Sequence, residues 1–204
     1  MKSIITHHET CLYSITLQPE EPTMHILYNV LKMIIPQSFY DETTHALFFN
    51  AESVHSLQQY LNLYDCKLPY TKCIGLADYM TTQINYLQKS GYGYYGFDID
   101  DIIVIDKHIF AVVNTTYLMQ HINNTFCFYA PINYPYFSSP ELLKIQTLPS
   151  EINYNTCYYS LGALIAYCLF NTLEKRDIEL IHDTKLYWFF KRCFETKTRS
   201  LLLI

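Results

Sequence analysis

The chain has 204 residues, of which 50% are hydrophobic and 16% are charged, and its formal net charge is -5. This composition excludes disorder, which requires low hydrophobicity and high net charge, and it fits one domain with or without a small appendage. The acidic balance argues against a nucleic-acid partner, because Lys and Arg contacts to phosphates supply most of that affinity.

Large aromatic side chains are unusually common, with 20 tyrosines and 12 phenylalanines. One small core cannot enclose all of them, so some are expected at an exposed surface where a tyrosine hydroxyl can stay wet. The seven cysteines form no C-x-x-C pair, and we expect reduced thiols in a cytoplasmic protein without a disulfide framework or a zinc site. No secretory signal is recognised, and the longest apolar stretch, residues 158–170, is too short to span a membrane, so no membrane partner is predicted.

The apolar periodicity divides the chain into helices and short strands, without a repeat or an evident linker. Helices are predicted where apolar residues recur at intervals of three and four, and strands where short apolar runs are bounded by turn residues. The predicted elements are, in chain order, a strand at 11–17, a helix at 24–35 stopped by Pro36, a strand at 45–50, a short helix capped by Ser53, a helix at 74–88, strands at 102–105 and 109–113, and helices around 161–169 and 186–193. This layout predicts an α+β fold that is mostly helical.

The order of these elements resembles a protein kinase from its hinge to its end, over residues 46–204. The strand at 45–50 and the helix after it resemble the hinge strand and the first helix of the lower lobe. Residues 102–114 resemble the paired strands that lead from the catalytic loop to the magnesium-binding motif. The resemblance implies a kinase-like C-terminal lobe, with residues 1–45 forming either a reduced N-terminal lobe or an unrelated segment.

Two short motifs extend the resemblance toward the end of the chain. Ser138-Ser139-Pro140-Glu141 resembles the Ala-Pro-Glu motif that closes a kinase activation segment, and Tyr159-Ser160-Leu161-Gly162 resembles the Trp-Ser-Leu-Gly segment of the central helix. Arg199 stands where such kinases carry a late arginine. The resemblance therefore implies a structural ion pair between Glu141 and Arg199; the alternative is that Glu141 merely favours the start of a helix.

The same register places unsuitable residues at the catalytic positions. Gly96 falls at the catalytic aspartate, where a glycine has no side chain to accept a proton. Asp101 falls at the magnesium-binding asparagine, and Asn114 falls at the aspartate of Asp-Phe-Gly, where it keeps an oxygen but lacks the charge that a hard cation favours. No catalytic residue is therefore assigned.

The upper lobe of a kinase is also incomplete in this sequence. The first 45 residues contain no glycine, hence no Gly-rich loop over the phosphates, and their two lysines, Lys2 and Lys32, lack a Val-Ala-Ile-Lys context. The predicted helix at 24–35 carries no glutamate to pair with a lysine. No cofactor is predicted, although weak binding of ATP and magnesium is left open.

The acidic run before the first of the paired strands is the main feature that argues against a loss of activity. Asp98 or Asp100 could act as an out-of-register base, and Asp98, Asp101 and Asn114 could together hold a divalent metal ion. The alternative, which we favour, is a solvated acidic loop that leads into a strand, because the glycine turn and terminal glutamate of a calcium loop are missing.

We therefore interpret the chain as a pseudokinase that acts as a protein-binding scaffold. Its Ile-, Asn- and Tyr-rich composition resembles kinase-like proteins of large DNA viruses, which implies the host cytoplasm or the virion as its location. The alternatives are a divergent active serine/threonine kinase and a virion structural protein. Trp188 is expected in the core, with a partner-facing position as the alternative.

Overall fold

The computed structural model describes residues 3–17 and 23–195. The described chain is 41% helix and 24% strand, so the α+β class is confirmed and helix exceeds strand. The helices are α1 (Thr23–Ile34), α2 (Leu57–Asn62), α3 (Tyr70–Lys89), α4 (Pro140–Leu143), α5 (Thr156–Phe170), α6 (Lys175–Ile178) and α7 (Lys185–Phe194), with 3-10 turns at Ile99–Asp101 and Glu179–Ile181. The strands are β1 (Ile4–Glu9), β2 (Leu12–Thr16), β3 (Phe39–Asp41), β4 (Ala46–Asn50), β5 (Val54–Ser56), β6 (Tyr92–Tyr94), β7 (Ile102–Ile105), β8 (Ile109–Val112), β9 (Leu118–Gln120), β10 (Thr125–Phe128) and β11 (Ser150–Asn153).

The strands form four small antiparallel sheets. The largest has the order β1-β2-β4-β3, and the others are β5-β7-β8, β6-β9 and β10-β11. Helix α1 lies between the second and third strands in sequence and buries an apolar stripe, including Leu27 and Leu31, as its spacing predicts. The stripe contributes to one continuous hydrophobic core that also includes residues of α3 and β8.

Helix α3 is tied to strand β8 by a buried amide. The side chain of Gln83 donates through Nε2 to the carbonyl oxygen of Phe110 at 2.8 Å and accepts through Oε1 from the N–H of Val112 at 2.9 Å. Gln83 is almost fully buried, so these bonds satisfy its polar atoms as burial requires. They fix the end of β8, from which the chain enters the candidate site.

Helix α5 is buried on nearly all sides, as its uniform apolar sequence predicts. It lies very close to α7 at Gly162, where an added Cβ would come within 2.6 Å of Cβ of Cys193. The C-terminus of α5 is closed by Asn171 in the left-handed conformation, with a φ of 58°. Glycine at this crossing allows α5 and α7 to pack backbone against side chain.

Two expectations are wrong in detail. Ser53 does not cap the short helix: strand β5 forms there instead, and Ser56 caps α2 by accepting from the N–H of Gln59 at 3.1 Å while Gln59 reaches back to its backbone. Trp188 is not in the core, because α7 turns its other face inward and leaves this ring 47% exposed. Within the described ranges, no helix combines the length and the apolar character needed to span a membrane.

Candidate functional site

The acidic run before β7 folds into a compact loop. The backbone N–H of Asp101, at the end of the 3-10 turn, donates to the carbonyl oxygen of Asp98 at 3.1 Å. In return, the backbone N–H of Asp98 donates to Oδ2 of Asp101 at 2.5 Å. The carboxylate of Asp101 is thereby turned back into the protein, and Asp101 is 1% exposed. The loop is therefore closed on itself around this residue and is not a solvated acidic segment throughout.

Strand β8 brings Asn114 into contact with Asp101. The N–H of Val113 donates to the carbonyl oxygen of Asp101 at 2.9 Å, which extends the β7–β8 ladder by one bond. The side-chain nitrogen of Asn114 donates to Oδ1 of Asp101. Its side-chain oxygen accepts from the N–H and the hydroxyl of Thr116 at 3.0 and 2.8 Å, and its carbonyl oxygen accepts from the hydroxyl of Tyr94 at 2.8 Å. The two residues that the sequence places at metal-binding positions thus lie side by side.

The carboxylate of Asp98 links two other segments of the chain. Its Oδ2 accepts from the hydroxyl of Tyr117 at 2.6 Å, and its Oδ1 accepts from the backbone N–H of Tyr136. Tyr117 and Tyr136 are 19 and 38 positions from Asp98 along the chain. Both oxygens of this carboxylate accept hydrogen bonds from the protein. Asp98 therefore holds these two segments together and is not open to a substrate as a base.

Gly96 lies against the segment that contains Tyr136. A Cβ added at Gly96 would lie 2.2 Å from Cγ and 3.2 Å from Cβ of Pro135, which is buried. The next residue, Phe97, is held by its N–H, which donates to Oγ of the buried Ser160 on α5 at 2.8 Å. The position that the sequence aligns with a catalytic aspartate has no space for a side chain, because the proline ring already occupies it.

Burial controls the charge of this network. It raises the pKa of Asp101 to about 7, against the opposing effects of the hydrogen bonds from Asp98 and Asn114 and with a smaller contribution from the nearby charges of Asp98 and Asp100. Burial also raises the pKa of Tyr117, as does the hydrogen bond to Asp98, so this phenol remains a proton donor. The loop thus holds one carboxyl that titrates near neutral pH.

Of the three candidate metal ligands, Asp101 and Asn114 are in contact, whereas the carboxylate of Asp98 is engaged by other segments. The donor atoms of Asp101 and Asn114 do not fit a shared cation. Asn114 must present its oxygen to Thr116, whose backbone N–H can only donate, and so it presents its nitrogen to Asp101. A magnesium ion between the two residues would require oxygen from both. Across residues 3–17 and 23–195, no group of three or more His, Cys, Asp or Glu side chains is arranged to hold a metal ion.

Of the expected ion pair between Glu141 and Arg199, only Glu141 lies among the described residues. Glu141 is in the first turn of α4, whose N-cap Ser139 accepts from the N–H of Leu142 at 3.1 Å. Oγ of Ser139 also lies 2.6 Å from Oγ1 of Thr156, which joins α4 to the start of α5. Arg199 lies outside the described residues, so its pairing with Glu141 stays a prediction.

Several residues that shape the site could not be predicted from the sequence. Pro135 and Tyr136 come from a loop whose position depends on tertiary contacts, and no local pattern signals that they cover Gly96 and Asp98. Tyr117 gives a weak signal, since a tyrosine that follows Asn114 closely can reach the same loop.

Comparison with models of known protein families and with curated proteins gives no match for the chain.

Proposed function

We propose that this chain is a catalytically inactive, kinase-like protein that works as a protein-binding scaffold, with a viral origin as part of the proposal. The observation that carries it is the orientation of Asn114, whose amide nitrogen faces Asp101 where a kinase would place a metal-binding carboxylate. Phosphoryl transfer depends on positioning and on charge neutralisation by metal ions. Asn114 presents an amide nitrogen and Gly96 has no side chain. The site therefore supplies neither the positioning of the reacting groups nor the binding of the metal ions.

The order of the elements supports the kinase-like part of the proposal. A helix precedes the strand β4, helices α2 and α3 follow it, and the hairpin β7–β8 separates the acidic loop from Asn114. The Ser-Pro-Glu segment then starts α4, and the Ser-Leu-Gly segment lies in the buried α5. Each motif thus lies on the kind of element that the resemblance requires, which is an argument by analogy of fold.

The composition of α1 and β2 supports the loss of activity. Active kinases require an ion pair between a strand lysine and a helix glutamate. Strand β2 has the sequence LYSIT and contains no lysine, and α1 contains no acidic residue between Thr23 and Ile34. The pair cannot form from these two elements, so the phosphates would lack their usual anchor.

The exposed aromatic residues support the scaffold part. Tyr129 is 79% exposed and Tyr136 is 70% exposed, although large aromatic side chains gain free energy from burial. Tyrosine and tryptophan are enriched among the residues that dominate binding energy at protein interfaces. A surface that keeps them exposed is typical of a protein that binds another protein.

The proposal predicts no change in melting temperature when millimolar ATP and magnesium are added to the purified protein. A ligand at about 100 times its dissociation constant would stabilise the fold by about 2.7 kcal/mol, a shift of roughly 5–10 °C for a chain of this length. Differential scanning fluorimetry with ATP alone and magnesium alone as controls makes the measurement. A magnesium-dependent increase, followed by transfer of labelled phosphate to a protein substrate, would instead support a divergent kinase.

A further inference from the structure

The first strand of the largest sheet has an open edge. The sheet has the order β1-β2-β4-β3, so β1 lies at its edge, and among the residues that the structure describes it pairs with β2 alone. The two isoleucines that begin β1 are exposed, Ile4 by 53% and Ile5 by 37%. Because the outer N–H and C=O groups of an edge strand form a template for pairing, this edge can add another extended chain.

The hydrogen bonds of the sheet identify the groups of β1 that face the open edge. The N–H of Ala51 donates to the carbonyl oxygen of Cys11 at 2.8 Å, so Cys11 is bonded toward β4. Bonding directions alternate along an antiparallel strand, so every second residue from Cys11 bonds to β4 and the residues between them bond to β1. Thr6 lies opposite one of the latter and therefore bonds to β2. Its neighbours Ile5 and His7 direct their N–H and C=O groups outward.

The edge is held in an extended conformation by contacts within the sheet. The ring of His7 stacks on that of Tyr13 of β2 at a centroid distance of 4.5 Å. Nε2 of His8 lies 2.7 Å from Oγ of Ser14, also on β2. The register with β2 shifts after His7, which ends the regular part of the edge there. A strand that is already ordered loses little conformational freedom when a partner pairs with it.

β1 lacks the features that usually protect an edge strand, which are short length, charge and proline. The opposite edge has them: β3 is three residues long and ends at Asp41, whose carboxylate accepts from the N–H of Thr43 and the hydroxyl of Thr44. Between Ile4 and His7, β1 contains no proline, lysine, arginine, aspartate or glutamate. Two copies of this strand can therefore pair without like charges opposite each other, although the whole chain has a net charge of -5.

We propose that a second copy of this chain binds at the open edge, with the two β1 strands antiparallel about a two-fold axis at Ile5. Each Ile5 then lies opposite the other, and Ile4 lies opposite Thr6 of the second copy. An unrelated strand would satisfy the same backbone groups, but self-pairing also places β-branched, uncharged side chains opposite each other on both faces. The paired segment of five residues is about 17 Å long, so we expect a weak, reversible dimer. This inference goes beyond the proposed scaffold function and does not depend on it.

Sedimentation velocity over a series of protein concentrations tests the dimer. The sedimentation coefficient of the wild-type protein should rise as its concentration approaches about 1 mM, where weak complexes form. Ile5→Lys should remain monomeric throughout, because a lysine on an edge strand prevents pairing. Phe39→Lys is the matched control: Phe39 is an apolar residue on β3, 57% exposed, and this variant should associate as wild type does. A monomeric wild type, or Ile5→Lys that associates normally, would overturn the proposal.

Disulfide cross-linking tests the register without a lysine variant. Each new cysteine is introduced into a Cys11→Ser protein, because Cys11 is exposed. Ile5→Cys should form a covalent dimer under mild oxidation, since the Cα atoms of a hydrogen-bonded pair lie about 5.5 Å apart, within the range of a disulfide. In the same register two Thr6→Cys residues would lie about 8 Å apart, too far for a disulfide, so this variant is the control. Cross-linking of Ile5→Cys no faster than that of Thr6→Cys would contradict the pairing.

Discussion

Replacing Gly96 by alanine is expected to lower the melting temperature by roughly 2–12 °C, because the new Cβ would lie 2.2 Å from Cγ of Pro135. Pro135 is buried and its ring is rigid, so it cannot move aside as the end of a flexible side chain could. Overpacking of this kind costs typically about 1–3 kcal/mol. Thermal unfolding followed by circular dichroism measures the effect.

Gly75→Ala is the matched control for this prediction. Gly75 lies inside α3, and a Cβ added there would meet Cε2 of Phe110 at 3.8 Å, an ordinary contact. Alanine favours the helix by up to about 1 kcal/mol over glycine, so this variant should melt at the same temperature or slightly higher. The double variant Gly96→Ala with Pro135→Gly should recover part of the loss. A Gly96→Ala protein as stable as wild type would show that Pro135 does not fill the position.

Asn114→Asp is expected to destabilise the protein by about 3–5 kcal/mol at about pH 8. The substitution removes the N–H donor to Asp101 and places a second carboxylate in its position, next to a buried acid. Two carboxylates in contact cannot both ionise without cost, so one must bind a proton. Urea unfolding at several pH values measures the difference in the free energy of unfolding between the variant and wild type. Thr116 can still donate to the new side chain, so the difference reports the lost contact with Asp101.

The pH dependence of this effect follows from Asp101. Its pKa is raised to about 7 in the folded protein, above the value of about 4 in the unfolded chain. Its contribution to stability is therefore fully present below about pH 4 and is lost as the pH rises through about 7. In Asn114→Asp the deficit should shrink to roughly 1–2 kcal/mol near pH 5, where a proton is shared. Asn123→Asp, on an exposed turn, should change stability by less than about 0.5 kcal/mol at either pH. A deficit that does not depend on pH would contradict the assigned contact.

The sequence predicts the local elements of this fold well where one pattern dominates. Strands β7 and β8 and helix α5 lie close to their predicted positions. Each is a run of consecutive apolar residues, so its burial can be predicted from the local sequence. The contact between Asp101 and Asn114 follows from the same hairpin, since antiparallel pairing of β7 with β8 brings their flanking residues together. Local pattern and tertiary structure agree at these elements.

The features that close the site could not be predicted in the same way. The contact of Gly96 with Pro135 and the bonds that Asp98 accepts from Tyr117 and Tyr136 join segments far apart in sequence, and no periodicity encodes them. The acidic run therefore allowed both a metal site and a solvated loop as interpretations. The burial of Asp101 argues against a solvated loop, and the orientation of the Asn114 amide argues against a metal site. Both features depend on the packing of the β7–β8 hairpin.

Paramagnetic relaxation by Mn²⁺, a substitute for Mg²⁺, tests most directly whether Asp98, Asp101 and Asn114 form a closed network and not a metal site. Amide spectra of the isotope-labelled protein would be recorded with a non-hydrolysable ATP analogue during the titration. We expect the signals of Asp98, Asp101 and Thr116 to broaden no more than that of the exposed Glu42. Selective broadening of these three amides at substoichiometric Mn²⁺ would contradict it and identify a working metal site.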